Sequence, residues 1–423
     1  MFTILSRWNR WGSATLSSGI ARQITRNIYP VIHTKEIVVL IGMRRAGKTT
    51  ILFQLMDHLE SSGIPKEAML HVNFEEPALA ANLNTDFLDE LYNDYRANIF
   101  PKGKAYLFFD EIQNVPQWER WVRARNESEE IKIFLTGSSA NLMSRELGTV
   151  LTGRHVSFIV SPLCFSEYLQ FQKIDVPAKK TKLPASHDIQ FALEKYLQWG
   201  GLPEVVLSQS DDRRELLLRQ YFDDLLFKDV AMRHEIRDIA LLRHLAVYLM
   251  TQTASLVSFH RIAKQFSISI EKAGTYCVFL QEAFLIDCLS FFSLKTAERN
   301  RHPFKVHAAD LGLRNIIALS GSPDRGRLIE TAVFHQLRNK FKNELYYWKG
   351  KHEIDFLRRE KNVVKELIQV AQKIDKEEIV KREFSALKEA SEHFKTAHTT
   401  FIVEKISKKM PNNIMPLWLF LLS

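Results

Sequence analysis

Apolar and polar positions alternate along this chain with a period that changes several times. Near the N-terminal end, Ile37–Ile41 and Ala105–Phe109 are short apolar runs, and Ile131–Leu135 and Val156–Val160 are mainly apolar segments that contain Lys132 and Ser157. All four predict strands, and the continuous run Ile37–Ile41 predicts one buried as a parallel sheet requires. The first is followed after a glycine-containing loop by Thr50-ILFQL-Leu55, which predicts a helix. From Asp188 to Val230 the spacing is helical, interrupted at Gly200-Gly201-Leu202-Pro203. Two further helices are expected over Ser258–Phe266 and Ile270–Ile286. Ser269 stands as N-cap of the second, and Ile270, Ala273, Cys277, Leu280 and Phe284 fall on its core face.

Beyond residue 320 the period alternates between helix and strand. A helix is expected over Leu328–Lys340. Strands follow over Leu345–Trp348, Glu353–Leu357 and Leu367–Ile374, then an amphipathic helix from Lys376 to about Phe394. Thr399–Ile406 and Leu417–Leu422 are expected to close the sheet as strands. The tail Met415–Leu422 is too short to span a bilayer and reads as a buried terminal strand. Residues 171–190 are polar and contain Pro177 and Pro184, which marks a connector. The boundaries that follow are 1–34, 35–172, 173–236, 237–320 and 321–423.

Composition narrows the class. With 46% hydrophobic and 25% charged residues over 423 positions, the chain is an ordinary globular protein with room for several cores. No apolar run approaches the length of a membrane span, so no membrane partner is expected. Cys164, Cys277 and Cys288 have no metal-like spacing, and their odd number argues against a disulfide framework, which points to a reducing cytoplasm. The net charge of +9 favours polyanionic partners only weakly, and the basic surplus concentrates in residues 338–409. The first 35 residues hold Arg7, Arg10, Arg22, Arg26 and Lys35 but no acid. An organelle transit peptide has this composition. A basic lead-in helix packed on the first domain is the simpler reading, and the absence of an apolar segment after the charges argues against a secretory signal.

The sharpest chemical signal is Gly42-MRRA-Gly47-Lys48-Thr49, which satisfies G-x-x-x-x-G-K-[ST] between a strand and a helix. Glycines let the backbone wrap closely around phosphate, and the loop amides and helix N-terminus add positive potential. Gly42, Arg44, Arg45, Ala46, Gly47, Lys48, Thr49 and Thr50 are the expected nucleotide-binding set. Lys48 is placed for the β- and γ-phosphates, and Thr49 for Mg²⁺. Asp110, ending the apolar run Ala105–Phe109, fits the second Mg²⁺-holding group, and Glu111 a general base. Ser138 or Thr136, after the third run, would sense the γ-phosphate. Arg154, just before the fourth, is either an arginine finger for a neighbouring subunit or a surface ion pair.

These blocks resemble a family of prokaryotic AAA+-like ATPases. The resemblance rests on the GxRRxGKT loop, the Asp110-EIQNVPQW-Trp118 block, the Thr136-GSS-Ser139 strand end and the Gly153-Arg154 segment before Pro162-LCFSEY-Leu169. It continues through Tyr196-LQWGGLPEVVL-Leu207 and Tyr221-FDDLLFKDV-Val230, from about residue 33 to the end. It implies an α/β P-loop NTPase core with an AAA+ type parallel sheet, a helical lid, a winged helix and a C-terminal α/β restriction-endonuclease-like domain. ATP and Mg²⁺ are the implied cofactors. In related signalling ATPases a Gly-x-Pro turn in the lid touches nucleotide; Gly201-Leu202-Pro203 is equally readable as a plain helix-breaking turn.

Lys295, Arg299, Arg301 and Lys305 are expected to form a basic wing that tracks a DNA backbone. In the last domain, active members of the nuclease-like fold bring together a helix acid, a strand Asp, and Glu or Gln-x-Lys on the next strand. Glu330, Asp355 and Gln369 match, but Ala371 stands where the lysine belongs and Lys373 lies one same-face step further. Loss of that charge argues for an inactive remnant. The leading expectation is therefore a Mg²⁺-dependent, oligomeric ATPase working on branched, duplex or single-stranded DNA. The alternatives are a nucleotide-gated switch for a protein partner and, more remotely, an ATP-dependent nuclease.

Overall fold

The computed structural model describes residues 2–12, 17–139, 151, 153–176, 186–318, 324–341, 344–373, 377–396, 398–405 and 414–423. The connector prolines Pro177 and Pro184, and the expected element ends Ile374, Lys376 and Ile406, lie outside them. The chain divides into two compact units, Met1–Ser161 and Pro162–Ser423.

The first unit is built on five parallel strands: β1 (Ile37–Ile41), β2 (Met69–Asn73), β3 (Ala105–Asp110), β4 (Ile131–Gly137) and β5 (His155–Ile159), in the order β2-β3-β4-β1-β5. All residues of β1, β3 and β4 are buried; β1 is an unbroken apolar run, β3 is apolar up to Asp110, and β4 carries Lys132 and Thr136 among its apolar residues. β5 is an edge strand and stays half-exposed, with Ile159 45% accessible. Register brings three strand ends level. Ile41 pairs with Gly137, and Phe109 with Leu135, so the Gly42 loop, Asp110–Glu111 and Thr136–Ser139 share one edge of the sheet.

The N-terminal segment forms a short helix, Phe2–Trp8, packed against β2. Asn9 then exchanges two hydrogen bonds with the backbone of His71, at 2.8 and 2.6 Å, like an added strand residue. Lys132 on β4 is wholly buried, and its ammonium donates to the Val31, Thr34 and Glu36 carbonyls. A buried cation is tolerated when each of its protons has an acceptor.

The second unit begins with helices that include Phe165–Phe171, His187–Trp199, Asp211–Asp224 and Ile239–Thr251. The Gly200-Gly201 turn is locked from within this unit. Gly201 N donates to Asp310 Oδ2 at 2.7 Å, and a Cβ on Gly201 would lie 2.3 Å from the Leu163 carbonyl oxygen. A three-stranded antiparallel sheet follows, β6 (Ser255–Val257), β7 (Ile286–Leu289) and β8 (Phe304–Ala308), ordered β6-β8-β7. Between β6 and β7 lie helices Phe259–Phe266 and Ile270–Glu282, with the Ser269 side chain accepting from Lys272 N. The second helix ends at Glu282 instead of Ile286, because Ile286–Leu289 is drawn into pairing with β8. Ile270 is 52% exposed and does not belong to its core face, which Ala273, Tyr276, Cys277 and Leu280 form.

The last sheet has five strands: β9 (Leu345–Lys349), β10 (Glu353–Glu360), β11 (Val363–Lys373), β12 (Thr399–Lys405) and β13 (Ile414–Pro416), ordered β13-β12-β11-β10-β9. β9, β10 and β11 are antiparallel neighbours; β11, β12 and β13 are parallel. Helices Arg325–Phe341 and Glu377–Phe394 pack against β11. The tail corrects the sequence expectation, since Leu417–Leu421 is a helix beginning after Pro416 and only Ile414–Pro416 joins the sheet. The three-stranded and five-stranded sheets are joined by backbone hydrogen bonds: Tyr347 N donates to Ser290 O at 3.1 Å, and Phe292 N to Tyr347 O at 2.8 Å.

Candidate nucleotide site

At the end of β1 the chain makes two demands that only glycine meets. A Cβ at Gly42 would lie 2.1 Å from the Val160 carbonyl oxygen, and Gly47 sits in left-handed backbone at φ 96°. The turn delivers the chain into helix Lys48–Ser61 with its N-terminus facing the loop. Lys48 is 5% exposed. Its Nζ donates to the Gly42 and Met43 carbonyls at 3.0 and 3.3 Å and lies 3.3 Å from Glu111 Oε1.

Thr49 Oγ1 donates to Asp110 Oδ2 at 2.6 Å. Thr136 Oγ1 donates to Asp110 Oδ1 and accepts from Glu111 N at 2.9 Å, so one β4 hydroxyl orients both acids. Burial, then the neighbouring Glu111 charge, pushes the Asp110 carboxyl up to about 6. Burial also raises Glu111, but Lys48, the Gln113 hydrogen bond and Arg44 outweigh it and the net shift is downward. Glu111 holds left-handed backbone at φ 53°, a conformation uncommon outside glycine and concentrated at functional turns. Thr49 and Asp110 place two hard oxygen donors side by side, a donor set that fits Mg²⁺.

The other expected residues divide. Arg44 makes a two-pronged ion pair with Glu75 at 2.7 and 3.1 Å, and Arg45 is exposed in left-handed backbone at φ 67°. Ala46 is buried and Thr50 half-buried. Ser138 is buried just beyond the end of β4, on the same edge as the loop. Arg154 is not brought to this site. His155 pairs with Ile37 at the start of β1, so Arg154 sits at the opposite end of the sheet, roughly 16 Å away at about 3.3 Å per strand residue. Its guanidinium pairs with Glu127 at 2.8 Å, with both side chains about two-fifths exposed.

One residue at the site had no distinguishing signal in the sequence. Arg22, 5% exposed, donates to the Ala46 carbonyl at 2.6 Å and to the Ser161 carbonyl at 2.8 Å. Its own N–H donates to Gln54 on the P-loop helix at 3.1 Å. It braces the loop from behind. Nothing in its spacing separates it from the other basic residues of that acid-free stretch.

In the second unit, Glu330, Asp355 and Gln369 do come together. Asp355 N donates to Gln369 Oε1 at 3.3 Å, and Val370 N to Asp355 Oδ2 at 3.0 Å. Lys305 does not belong to an exposed wing: it is 1% exposed on β8 and contacts Glu330, Glu353 and Asp355 at 2.7, 2.7 and 3.1 Å. The rest of the expected wing is the short helix Thr296–Arg301, with Lys295 and Arg301 exposed.

Comparison with known proteins agrees with this layout. Residues 34–169 match a family described as an AAA domain (AAA_14), and residues 190–325 and 325–420 match two domains of unknown function (DUF8612 and DUF4143). The chain is 34% identical over 385 residues to the uncharacterized protein MJ1544 of Methanocaldococcus jannaschii, covering 89% of this chain and 83% of that protein. It is 28% identical over 334 residues to an uncharacterized protein of Haemophilus influenzae, covering 77% and 80%. Among solved structures, the Aeropyrum pernix Orc1 protein in complex with DNA aligns with a TM-score of 0.33 and 13% identity, over 69% of this chain and 90% of that one. At that score the likeness decides nothing about this chain. The extent of the match to MJ1544 does decide its kinship: the chain belongs to the same family, with a P-loop AAA domain followed by two domains of unknown function.

Proposed function

We propose that the chain is a Mg²⁺-dependent ATPase. The observation that carries this is the convergence of Lys48, Thr49, Asp110 and Glu111 at one sheet edge. Lys48 binds the β- and γ-phosphates, exchanging its Glu111 contact for phosphate oxygen. Glu111, released from that contact, orients and deprotonates the attacking water. Thr49 and Asp110 hold Mg²⁺, which when bound neutralises charge developing on the phosphate oxygens. Thr136 keeps both acids in place, and Ser138 reads the γ-phosphate. Arg154 is assigned as an arginine finger for a neighbouring copy; the alternative role is the surface ion pair it makes with Glu127.

Within this reading, residues 35–172 are the ATPase core, 173–236 a helical lid, 237–320 a winged helix and 321–423 a nuclease-like domain without nuclease activity. Lys48→Ala is expected to lose ATP binding. Glu111→Gln is expected to bind ATP yet turn over at least about 100-fold more slowly, the usual contribution of a general base. Normal hydrolysis by either variant overturns the assignment.

The work done by hydrolysis acts on DNA in our first reading, supported by the overall positive charge and by Lys295, Arg299 and Arg301. A protein partner is the second. One observation favours it: the exposed positions of helix Ile270–Glu282 include Ile270, Glu271, Thr275 and Val278, an apolar and acidic set ill suited to phosphate. ATP turnover measured with and without branched, duplex and single-stranded DNA separates them. Stimulation that falls with salt supports DNA; no stimulation and no binding at low salt supports the partner.

A further inference from the structure

The nuclease-like arrangement of Glu330, Asp355 and Gln369 implies a divalent metal, and the residues present do not fit one. Lys305 Nζ already lies within hydrogen-bond distance of all three surrounding carboxylates. The second oxygen of Asp355 is taken by Val370 N. Gln369 is occupied as well, its carbonyl accepting from Asp355 N and its amide donating to Glu383 at 2.6 Å. Among the described residues, no group of three or more His, Cys, Asp or Glu side chains is arranged to hold a metal.

We infer that Lys305 is a built-in cation that takes the place of a divalent metal in this cluster and converts a metal site into a joint between two sheets. An ammonium has three protons, and an oxygen of each of three carboxyl groups, Glu330, Glu353 and Asp355, lies within reach to accept one. The lysine reaches across from β8, the central strand of the three-stranded sheet, to a helix and a strand of the last domain. Its burial would be prohibitive without those partners. The neighbouring β8 residue on the same face, His307, continues the joint. Its Nδ1 lies 3.2 Å from Thr331 Oγ1, and its ring stacks on Phe334 at 4.1 Å between centroids. The cluster is therefore satisfied internally, and the domain carries no metal-dependent cleavage.

The test uses the full chain without nucleotide and Mn²⁺ as the probe, followed by thermal unfolding and by electron paramagnetic resonance of free Mn²⁺. Wild type is expected to show no Mn²⁺ bound at the cluster, so that Asp355→Asn leaves the bound fraction unchanged. Lys305→Ala is expected to melt earlier and to regain stability with Mn²⁺. An ion at roughly 100 times its dissociation constant shifts the folding equilibrium about 100-fold. Because Lys305→Ala leaves the buried Asp355 and the half-buried Glu330 and Glu353 without their cation, it is run beside Lys305→Ala with Glu330→Gln, which removes one of these acids, and a response in either folded variant supports the inference. It is overturned if wild type binds Mn²⁺ in a manner lost in Asp355→Asn. It is also overturned if neither Lys305 variant responds to the ion, or if wild type cleaves DNA with Mg²⁺ and Asp355→Ala does not.

Discussion

Arg22 and Glu330 carry two expectations at the scale of single side chains. Arg22 gives buried, charge-assisted hydrogen bonds to the carbonyl that precedes Gly47. Bonds of this kind contribute about 1.5–3 kcal/mol. Arg22→Ala is expected to raise the dissociation constant for ATP tenfold or more without altering the circular dichroism of the fold, as a titration with a fluorescent ATP analogue reads out. Glu330 is held above the usual carboxylate range, at about 8, by burial first and by the Asp355 charge second, against the pull of Lys305. Glu353, Asp355 and His307 also face the ammonium. Three carboxylates cannot all ionise cheaply around one cation, so Glu330 keeps its proton. The folded chain then holds a proton that the unfolded chain releases above its ordinary value of 4.5. Stability from this group is present at low pH and falls as pH rises from about 4.5 through 8. Urea unfolding of wild type and Glu330→Gln across pH 5 to 8 checks this: the slope is expected to flatten in the variant.

At the scale of elements, the Ser269 cap is a local device with a local cost. Ser269→Ala is expected to destabilise the second unit by about 1 kcal/mol, seen as a lower denaturant midpoint with unchanged slope. That cap was legible because its signal is local: a hydroxyl one residue before a helical spacing. β1 was legible for a similar reason, since complete burial leaves an unbroken apolar run, and in the fold Thr49 Oγ1 lies 2.6 Å from Asp110 Oδ2 and Lys48 Nζ 3.3 Å from Glu111 Oε1. The tail was not. Leu417–Leu421 is apolar at every position, so neither period is marked, and Pro416 tips it into a helix. Lys305 was illegible for the opposite reason. Its neighbours in sequence, Arg299, Arg301 and His302, make it look solvated, whereas its partners lie 25, 48 and 50 residues further along the chain.

For the molecule as a whole, an Arg154 that acts on a neighbour makes a distinct prediction. Arg154→Ala subunits are expected to bind ATP, fail to turn it over, and depress wild-type turnover more than in proportion when mixed in. A linear response to the mixing ratio would show that each copy works alone. The splice at Ser290, Tyr347 and Phe292 has a consequence of another kind. Matched families change at residue 325, yet hydrogen bonds and the Lys305 ion cluster cross that line. A gene rearrangement that joined residues 325–420 to another ancestor would leave Glu330 and Asp355 without their cation and Lys305 without its anions. Both halves would bear the loss, so a chain that joins residues 325–420 to a different partner is expected to carry another residue in place of Lys305 or to fold less stably, as thermal unfolding of such a chimera reads out.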